Sequence, residues 1–240
     1  MEEASTLDNT FTTGIWESMW VGNMAGWHEA DGNAMMWKRF PQLIADNFPD
    51  RQPHDLRVFV PLCGKAKDMY LLYKMGFTVT GVEFASQPIA EFFAENSITT
   101  QNTPKTKTDK QYTASKDGRI QIGQGDLFRY TTDNLPFPEY DIIWDRGSFE
   151  AINNEDRPRY VDLLSRLLTK QGFYFMHSTD YDLSEYRGPP LAANTDVIKK
   201  YFADMSVEFL DRESMLDEHW RAVGLTWMDA LTHVMKWKTK

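Results

Sequence analysis

The stretch LRVFVPLCGKAKDMYLLYKMGFTVTGVE (56–83) decides the fold. Its first five residues, 56–60, have the apolar and β-branched content of a short buried strand. Residues 66–74 then have the apolar spacing of a helix, which Gly76 can end. A second apolar run, 77–83, closes on the acidic residue Glu83. A strand, a helix and a strand of these lengths predict one β–α–β unit with parallel strands.

The same alternation continues along the chain. Further predicted elements are a helix from Ser86 through Asn96, a hairpin around Lys116-Asp117-Gly118, a strand at 140–145, a helix at 156–168, a strand at 173–178, a helix that Thr195 caps and that runs through Phe202, and strands near 206–212 and 225–237. The polar residues 97–111 form a predicted connector. Strands and helices that alternate in this way indicate an α/β protein with a doubly wound, mainly parallel sheet.

The segment that precedes this core is rich in tryptophan. Four of the eight tryptophans lie in it, namely Trp16, Trp20, Trp27 and Trp37. A helix would place Trp16 and Trp20 on one face. Apolar spacing predicts another helix over 30–48, kinked or divided at Pro41. The segment either packs its aromatic side chains on the core or covers a ligand as a lid, because an indole ring is costly to expose and useful where it stacks or holds a cation.

Composition excludes several classes of protein. The 240 residues fit a single domain, in which 1–50 would be the helical segment and 51–240 the α/β core. The net charge of −9 argues against a general nucleic-acid binder, and no apolar run reaches the roughly 18 residues of a membrane span. Cys63 is the only cysteine, so we expect a reducing compartment and a structural thiol. The five histidines lack metal-ligand spacing, so we predict no metal site, and we expect a cytoplasmic monomer that acts on a small molecule.

The candidate site residues follow the strands directly. In an open parallel sheet, ligands bind at the carboxyl ends of the strands, where the strand order reverses. The residues at these positions are Leu62 to Lys65 (including Gly64), Glu83, Asp126, Leu127, Asp145 and Arg146. Glu83 comes about 20 residues after Gly64, the spacing of an acid that accepts hydrogen bonds from a ribose. Asp126 is placed to accept from an adenine amino group, although an aspartate that forms a turn fits the pattern as well.

The absence of a dinucleotide-binding motif helps to indicate which adenosine-containing ligand the predicted site would bind. The sequence has no G-x-G-x-x-G motif, which argues against an NAD-dependent oxidoreductase. Acids suited to an adenosine, together with the aromatic first segment, favour S-adenosyl-L-methionine instead. Its sulfonium is a cation, which tryptophan faces stabilise by roughly 0.5–2 kcal/mol per contact. Methyl transfer needs alignment and exclusion of water more than covalent help from the protein.

Several motifs are spread over nearly the whole chain, namely PLCGK (61–65), GVE (81–83), IWDRG (143–147), the pair Trp16 and Trp20 followed by Gly22, an aromatic residue before His28, AIN (151–153) with Asp156-Arg157, Tyr181-Asp182 and GPP (188–190). Together these motifs resemble the thiopurine S-methyltransferase family, although Gly22 lies one residue closer to the tryptophans than in the family pattern. This resemblance implies a Rossmann-like, seven-stranded methyltransferase sheet with an N-terminal helical lid. It also implies S-adenosyl-L-methionine as the methyl donor and S-adenosyl-L-homocysteine as the product.

The resemblance assigns roles to individual positions. Trp16, Trp20 and Leu62 match residues around the donor, and Glu83 matches the ribose-binding acid. Asp126 and Leu127 match the adenine-contacting pair, which is Ser-Ile in some members. Gly64 is a candidate for the donor site from its own chemistry, since a glycine permits close approach of the backbone. Trp27 and Arg146 match residues near the methyl acceptor, although the family usually has Phe where this chain has Trp27. From the residues themselves, Arg146 is suited to stabilise a thiolate, since a guanidinium does not lose its proton. Asp145 would then orient Arg146, pair with it or relay a proton.

The acceptor stays open at this stage. A small sulfur nucleophile such as an aromatic or heterocyclic thiol is the main hypothesis. Its rivals are another soft nucleophile (a halide, thiocyanate, sulfide, or a selenium or tellurium species) and a protein that binds S-adenosylmethionine without catalysis.

Overall fold

The computed structural model describes residues 12–102 and 112–238. In chain order its elements are α1 (Thr13–Val21), α2 (Ala34–Asn47), β1 (Arg57–Val60), α3 (Lys67–Lys74), β2 (Thr78–Glu83), α4 (Ser86–Glu95), β3 (Thr100–Asn102), β4 (Tyr112–Ser115), β5 (Ile120–Gln124), β6 (Tyr140–Arg146), α5 (Arg157–Leu167), β7 (Leu168–Tyr181), α6 (Thr195–Tyr201), β8 (Met205–Ser214), α7 (Glu218–Val223) and β9 (Met228–Trp237). Single 3-10 turns occupy Pro53–Asp55 and Leu127–Arg129.

The strands of the described residues form one sheet in the order β3-β4-β5-β2-β1-β6-β7-β9-β8. The five central strands, β5 to β7 in this order, pair in parallel, whereas β4, β3, β9 and β8 add to them in antiparallel fashion. The α/β, doubly wound prediction is therefore confirmed. Seven strands form the expected type of sheet, and β3 and β4 extend it at the β5 edge, giving nine.

Apolar side chains cover both faces of this sheet. In β1, Val58 and Val60 belong to one hydrophobic cluster and Phe59 belongs to the other, as the alternation of side chains along a strand requires. Helices α2, α3 and α4 contribute to the first cluster, and α5 and α6 contribute to the second. A sheet buried on both faces explains why its central strands are almost continuously apolar.

Some predicted boundaries differ from the structure for local reasons. The helix predicted over 30–48 begins only at Ala34, because the Asn33 side chain accepts the N–H of Met36 and caps it, and it continues through Pro41 in one piece. Asn194, and not Thr195, caps α6 by accepting the N–H of Val197. Ser86 is the first residue of α4 and not its cap.

Two other segments are longer or more ordered than predicted. The strand predicted at 173–178 extends over Leu168–Tyr181. Pairing with β9 continues it to Tyr181, and at its other end Leu168 pairs with Tyr140 of β6. The predicted connector 97–111 contains the short strand β3, and its remainder from 103 on lies outside the described residues. The turn at Lys116-Asp117-Gly118 is confirmed, since β4 and β5 pair in antiparallel fashion around it. No helix in the described part of the chain has the length and apolar character of a membrane span.

The strand order reverses between β1 and β6. From β1 the chain moves outward through β2 to β5, and it then returns to the other side of β1 with β6 and β7. The carboxyl ends of β1 and β6 therefore lie side by side at the switch point, where ligands bind in folds of this kind. The loop 61–65 follows β1 at this point, and Arg146 ends β6.

Candidate active site

The loop after β1 has an unusual backbone. Leu62 has φ +40° and Gly64 has φ +50°, and a side-chain-bearing residue such as Leu62 rarely adopts this left-handed region. The N–H of Cys63 donates to the Val82 carbonyl oxygen at 3.0 Å, which ties the loop to the end of β2. A loop held this tightly presents its backbone at the rim of the sheet, where a ligand can approach it closely.

Glu83, the last residue of β2, fastens the same loop. Its Oε2 accepts the N–H of Gly64 at 2.8 Å, and its Oε1 accepts the N–H of Ala85 at 2.8 Å. The side chain is buried, and burial raises the pKa of this carboxyl while the backbone donors oppose that change. Each carboxylate oxygen can accept more than one hydrogen bond, so both retain capacity for a further donor. Two such oxygens side by side suit the two hydroxyls of a ribose.

The tryptophans of the first segment meet above this loop. The edge of the buried Trp20 ring lies over Gly64, so close that a Cβ at Gly64 would come within 2.8 Å of Trp20 Cζ2. The Trp27 ring makes edge-to-face contacts with Trp16 at a centroid distance of 5.4 Å and with Trp20 at 5.6 Å. Trp16 and Trp20 therefore share a partner, as their spacing in α1 predicts. The three indoles form a cover over the end of β1.

Arg146 joins this cover to the core from the β6 side. Its Nη1 donates to the Trp27 carbonyl oxygen at 2.5 Å, and its Nη2 donates to Glu29 Oε1 at 2.5 Å. Arg146 and Glu29 thus form an ion pair between the end of the sheet and the segment that follows α1. The guanidinium lines the same cleft as Trp20 and Trp27.

Asp145 lies in a different environment from its neighbour. Its buried carboxylate accepts the N–H groups of Ser148 and Phe149 and the hydroxyls of Tyr160 and Tyr174. Successive residues of a strand point to opposite faces, so Asp145 faces the core while Arg146 faces the cleft. The alternative in which Asp145 pairs with Arg146 does not describe the structure, because Glu29 is the carboxylate that contacts the guanidinium. Burial raises the pKa of Asp145, and its four donors oppose this rise.

Asp126 and Leu127 follow β5, one strand beyond Glu83. The N–H of Gly125 donates to the Glu83 carbonyl oxygen at 2.8 Å, which places this segment at the same edge of the sheet. The Asp126 Oδ1 accepts the N–H of Phe128 at 2.9 Å and caps a 3-10 turn, while Leu127 is buried among core residues. The turn-forming interpretation of Asp126 therefore describes its present contacts. Its second carboxylate oxygen lies 3.8 Å from the Arg129 guanidinium, at the outer limit of an ion pair.

These elements line a small, partly open cleft at the switch point. Its wall consists of Trp20, Trp27, His28, Val60, Leu62, Cys63, Gly64, Lys65, Ala66, Trp144 and Arg146. Five of the predicted site residues thus line one cleft, Glu83 holds its floor through Gly64, and Asp126 and Leu127 lie outside this wall.

The sequence reasoning missed several cleft residues. Lys65 has an ammonium group paired at 2.7 Å with both Glu91 and Glu95 of α4. His28 lies nearby, and partial burial together with the Lys65 cation lowers its pKa, so that its ring is neutral at pH 7. Lys65 was among the residues that follow the first strand, but no role was assigned to it. His28 was contained only in a motif that carried the resemblance.

Asp68, in the first turn of α3, was also missed. Its buried carboxylate accepts the N–H of Asn33 at 2.9 Å and the indole N–H groups of Trp37 at 3.0 Å and Trp144 at 3.2 Å. Burial raises the pKa of Asp68, and the three donors oppose this rise. Asp68 therefore attaches the tryptophan-rich segment to the core at the floor of the cleft. Its sequence context does not indicate this role, since a lone aspartate early in a helix is typical of a solvent-exposed residue.

Two further buried polar residues, His177 and Glu150, lie near Arg146. His177 stands opposite Arg146 in the β6–β7 register, and burial with the nearby guanidinium lowers its pKa to about 3. Glu150 accepts the N–H and the hydroxyl of Thr179, and burial raises its pKa to about 7. The position of His177 near the end of a strand was a usable signal, because the same rule selected Arg146. Within the described ranges, no group of three or more His, Cys, Asp or Glu is arranged to hold a metal ion.

Comparisons with known proteins agree with this geometry. The family model of thiopurine S-methyltransferase matches residues 11–240. A probable thiopurine S-methyltransferase of Danio rerio is 31% identical over 99% of this chain and 100% of its own length. The thiopurine S-methyltransferase of Mus spretus is 33% identical over 89% of this chain and 86% of its own. Among solved structures, an S-adenosylmethionine-dependent methyltransferase from Anabaena variabilis has the same fold, with a TM-score of 0.62, 16% identity and 99% coverage of both chains.

The fold, together with the match of most of the chain to methyltransferase relatives, defines a methyltransferase that depends on S-adenosylmethionine. Within that class, the chain belongs to the thiopurine S-methyltransferase family. At the cleft, the structure brings together the Glu83 carboxylate, the backbone of Gly64 and the rings of Trp20 and Trp27.

Proposed function

We propose that this chain transfers the methyl group of S-adenosylmethionine to a small sulfur nucleophile, such as an aromatic or heterocyclic thiol. The observation that supports this acceptor is the Arg146 guanidinium in the wall of an indole-lined cleft. An aromatic thiolate has an apolar ring and a negatively charged sulfur. The indoles of the cleft would pack against the ring, and the Arg146 guanidinium would stabilise the charge at sulfur.

The donor would be held by groups in and beside the cleft. Glu83 would accept the ribose hydroxyls, and Asp126 with Leu127 would contact the adenine from the end of β5. Leu62 and Gly64 would form the wall against which the donor lies, with Trp16 and Trp20 above it. The Lys65 ammonium has three N–H groups and two carboxylate partners, so one N–H remains for the carboxylate of the donor.

Arg146 would lower the pKa of the bound thiol. An ordinary thiol has a pKa of about 8.5, so only a few per cent of it is thiolate near pH 7. A guanidinium beside the sulfur favours the anion, and it keeps its own proton. The thiol proton would leave to solvent, the sulfur lone pair would form the new carbon–sulfur bond, and the bond from methyl to the sulfonium would break in the same step.

In addition to charge, the protein would align the donor and the acceptor and exclude water from the cleft. The Trp27 ring packs against Trp20, and the Trp27 carbonyl oxygen accepts a hydrogen bond from Arg146. Trp27 would therefore form the part of the wall that faces the acceptor. Asp145 would act as a positioning residue, since its four hydrogen bonds fix the start of the segment after β6. Direct displacement needs no nucleophile from the enzyme, and burial raises the pKa of Cys63 well above its usual value, which keeps this thiol protonated.

The test is turnover with labelled S-adenosylmethionine over a set of aryl thiols whose pKa values differ. We expect methylated thiols from the unaltered protein, and a loss in Arg146→Ala that is largest for thiols of high pKa. Arg166→Ala, which removes an exposed guanidinium from α5, is the matched control and should change nothing. Absence of methylation of every sulfur acceptor, despite binding of S-adenosylhomocysteine, would contradict the proposal. Equal losses across the thiols would show that Arg146 only positions the acceptor.

A further inference from the structure

The Arg146 cation is already neutralised in this structure. Glu29, in the segment between α1 and α2, places Oε1 at 2.5 Å from the Arg146 Nη2. The Arg146 side chain is only 19% exposed, so the pair is partly shielded from water and its charges interact more strongly than on an open surface. The cleft therefore presents an ion pair with no net charge and not a free guanidinium.

The other charged groups around the cleft do not restore a positive field. Lys65 is paired with Glu91 and Glu95, and His28 is neutral at pH 7 because its pKa is lowered. Asp68, buried below the cleft, adds a further carboxylate on this side. Each cationic side chain in the described wall of the cleft thus has at least one carboxylate partner.

We propose that Glu29 determines acceptor specificity by neutralising Arg146. Acceptors that enter as uncharged molecules keep the Glu29–Arg146 pair intact and become anionic only at the sulfur, next to the guanidinium. An acceptor with a fixed carboxylate must either approach Glu29 against charge repulsion or displace it from Arg146. The favoured substrate class is therefore a small thiol without any other negative charge. This inference rests on the proposed sulfur acceptor.

The geometry also separates Glu29 from the acids nearby. Asp31 lies two residues farther along the same segment, is exposed, and has no ion pair with Arg146. Glu29 alone of these two neighbours contacts the guanidinium, because the turn at 25–28 brings it beside the Trp27 carbonyl that Arg146 also binds. Asp31→Asn therefore removes the same formal charge from the same segment and serves as a matched control.

The experiment compares two acceptors, the anionic 4-mercaptobenzoate and its uncharged methyl ester, and the ratio between protein variants cancels their other differences. For Glu29→Gln we expect the ratio of kcat/KM for the acid to that for the ester to rise about tenfold (about 1.4 kcal/mol), with Asp31→Asn unchanged. The amide oxygen that this substitution introduces would still accept from Arg146, so the contact survives while the charge is lost. A ratio that is equal in Glu29→Gln and in the unaltered protein would overturn the proposal, as would the same rise in Asp31→Asn.

A binding measurement keeps this test separate from that of the proposed function. Calorimetry with the complex of protein and S-adenosylhomocysteine gives the affinities of 4-(methylthio)benzoate and its methyl ester without any turnover. We expect Glu29→Gln to tighten binding of the acid relative to the ester, again by about tenfold. Failure of the unaltered protein to methylate either thiol would contradict the sulfur acceptor, whereas turnover or binding with an unchanged ratio would contradict only the role of Glu29.

Discussion

The N–H of Gly64 donates to Glu83 Oε2 at 2.8 Å, so the carboxylate that ends β2 holds the loop that follows β1. This one contact joins two neighbouring parallel strands at their carboxyl ends. Because the same oxygens retain acceptor capacity, Glu83 both shapes the loop and offers a binding surface beside it.

Replacement of Glu83 by Gln tests this double role. The amide keeps nearly the same size but replaces one acceptor oxygen with a donor, so a ribose hydroxyl or a backbone N–H loses its partner. We expect the affinity for S-adenosylhomocysteine to fall by about 1–2 kcal/mol, measured by calorimetry. Glu139→Gln, at an exposed acid before β6, is the control. An unchanged dissociation constant in Glu83→Gln would remove Glu83 from the donor site.

Gly64→Ala tests whether the Trp20 ring must lie on this loop. Gly64 and Gly118 both have positive φ, +50° and +71°, but only at Gly64 would a Cβ meet the indole. Both Ala variants should therefore lose about 1 kcal/mol of stability from backbone strain. We expect only Gly64→Ala to weaken S-adenosylhomocysteine binding and to shift tryptophan fluorescence. Equal donor affinities in the two variants would show that the Trp20 contact is irrelevant to the site.

Asp68→Ala tests the attachment of the tryptophan-rich segment. The variant leaves the N–H groups of Asn33, Trp37 and Trp144 without their shared acceptor, although it also removes a buried carboxylate. We expect a net loss of about 2 kcal/mol in the free energy of unfolding, which lowers Tm by roughly 4–8 °C for a chain of this size. Asp46→Ala, at an exposed position on α2, is the control. A Tm equal to that of the control would contradict the role of Asp68.

Glu150 predicts a pH dependence of stability with a definite sign. Its pKa rises from 4.5 to about 7 on folding, so between these values the native state holds a proton that the unfolded chain releases. Stability due to Glu150 is therefore complete below pH 4.5 and is lost as the pH rises to about 7. His177 acts in the opposite direction, since its pKa falls to about 3 on folding. Between about pH 3 and 6.5 only the unfolded chain binds this proton, so His177 makes stability rise with pH over that interval.

Comparison with Glu150→Gln isolates the contribution of Glu150. Urea unfolding at pH 5 and pH 8 should show the variant gaining about 2–3 kcal/mol relative to the unaltered protein over that interval. The effect of His177 cancels in this difference because both proteins contain it. A constant difference between the two proteins at both pH values would mean that Glu150 is ionised throughout.

Periodicity and strand-end rules were sufficient for the fold and for part of the site. The apolar runs at 56–60 and 140–145 predicted the two strands that flank the switch point, and Arg146 was found because it ends one of them. Helix starts were less accurate, since Asn194 and Thr195 are both good caps and only tertiary packing selects between them. The continuity of α2 through Pro41 likewise depends on packing, because Phe40 is fully buried against the core.

The partners of the charged residues were not predictable. Asp145 and Arg146 are adjacent in sequence, which suggested a pair, but the alternation of side chains along β6 sends them to opposite faces. The Glu29–Arg146 pair spans more than a hundred residues and exists only because the sheet brings the two segments together. Asp68 attaches the tryptophan-rich segment because it accepts hydrogen bonds from Asn33, Trp37 and Trp144. These donors lie far from Asp68 in the sequence, so no local pattern predicts the contacts.

The most direct measurement is a crystal structure with S-adenosylhomocysteine bound. The account predicts the ribose on Glu83, the sulfur in the cleft that Gly64, Trp20 and Trp27 line, and the space beyond the sulfur bordered by Arg146. A homocysteine sulfur bound away from the end of β1, or with Trp20 and Trp27 on the other side of the sheet, would contradict it.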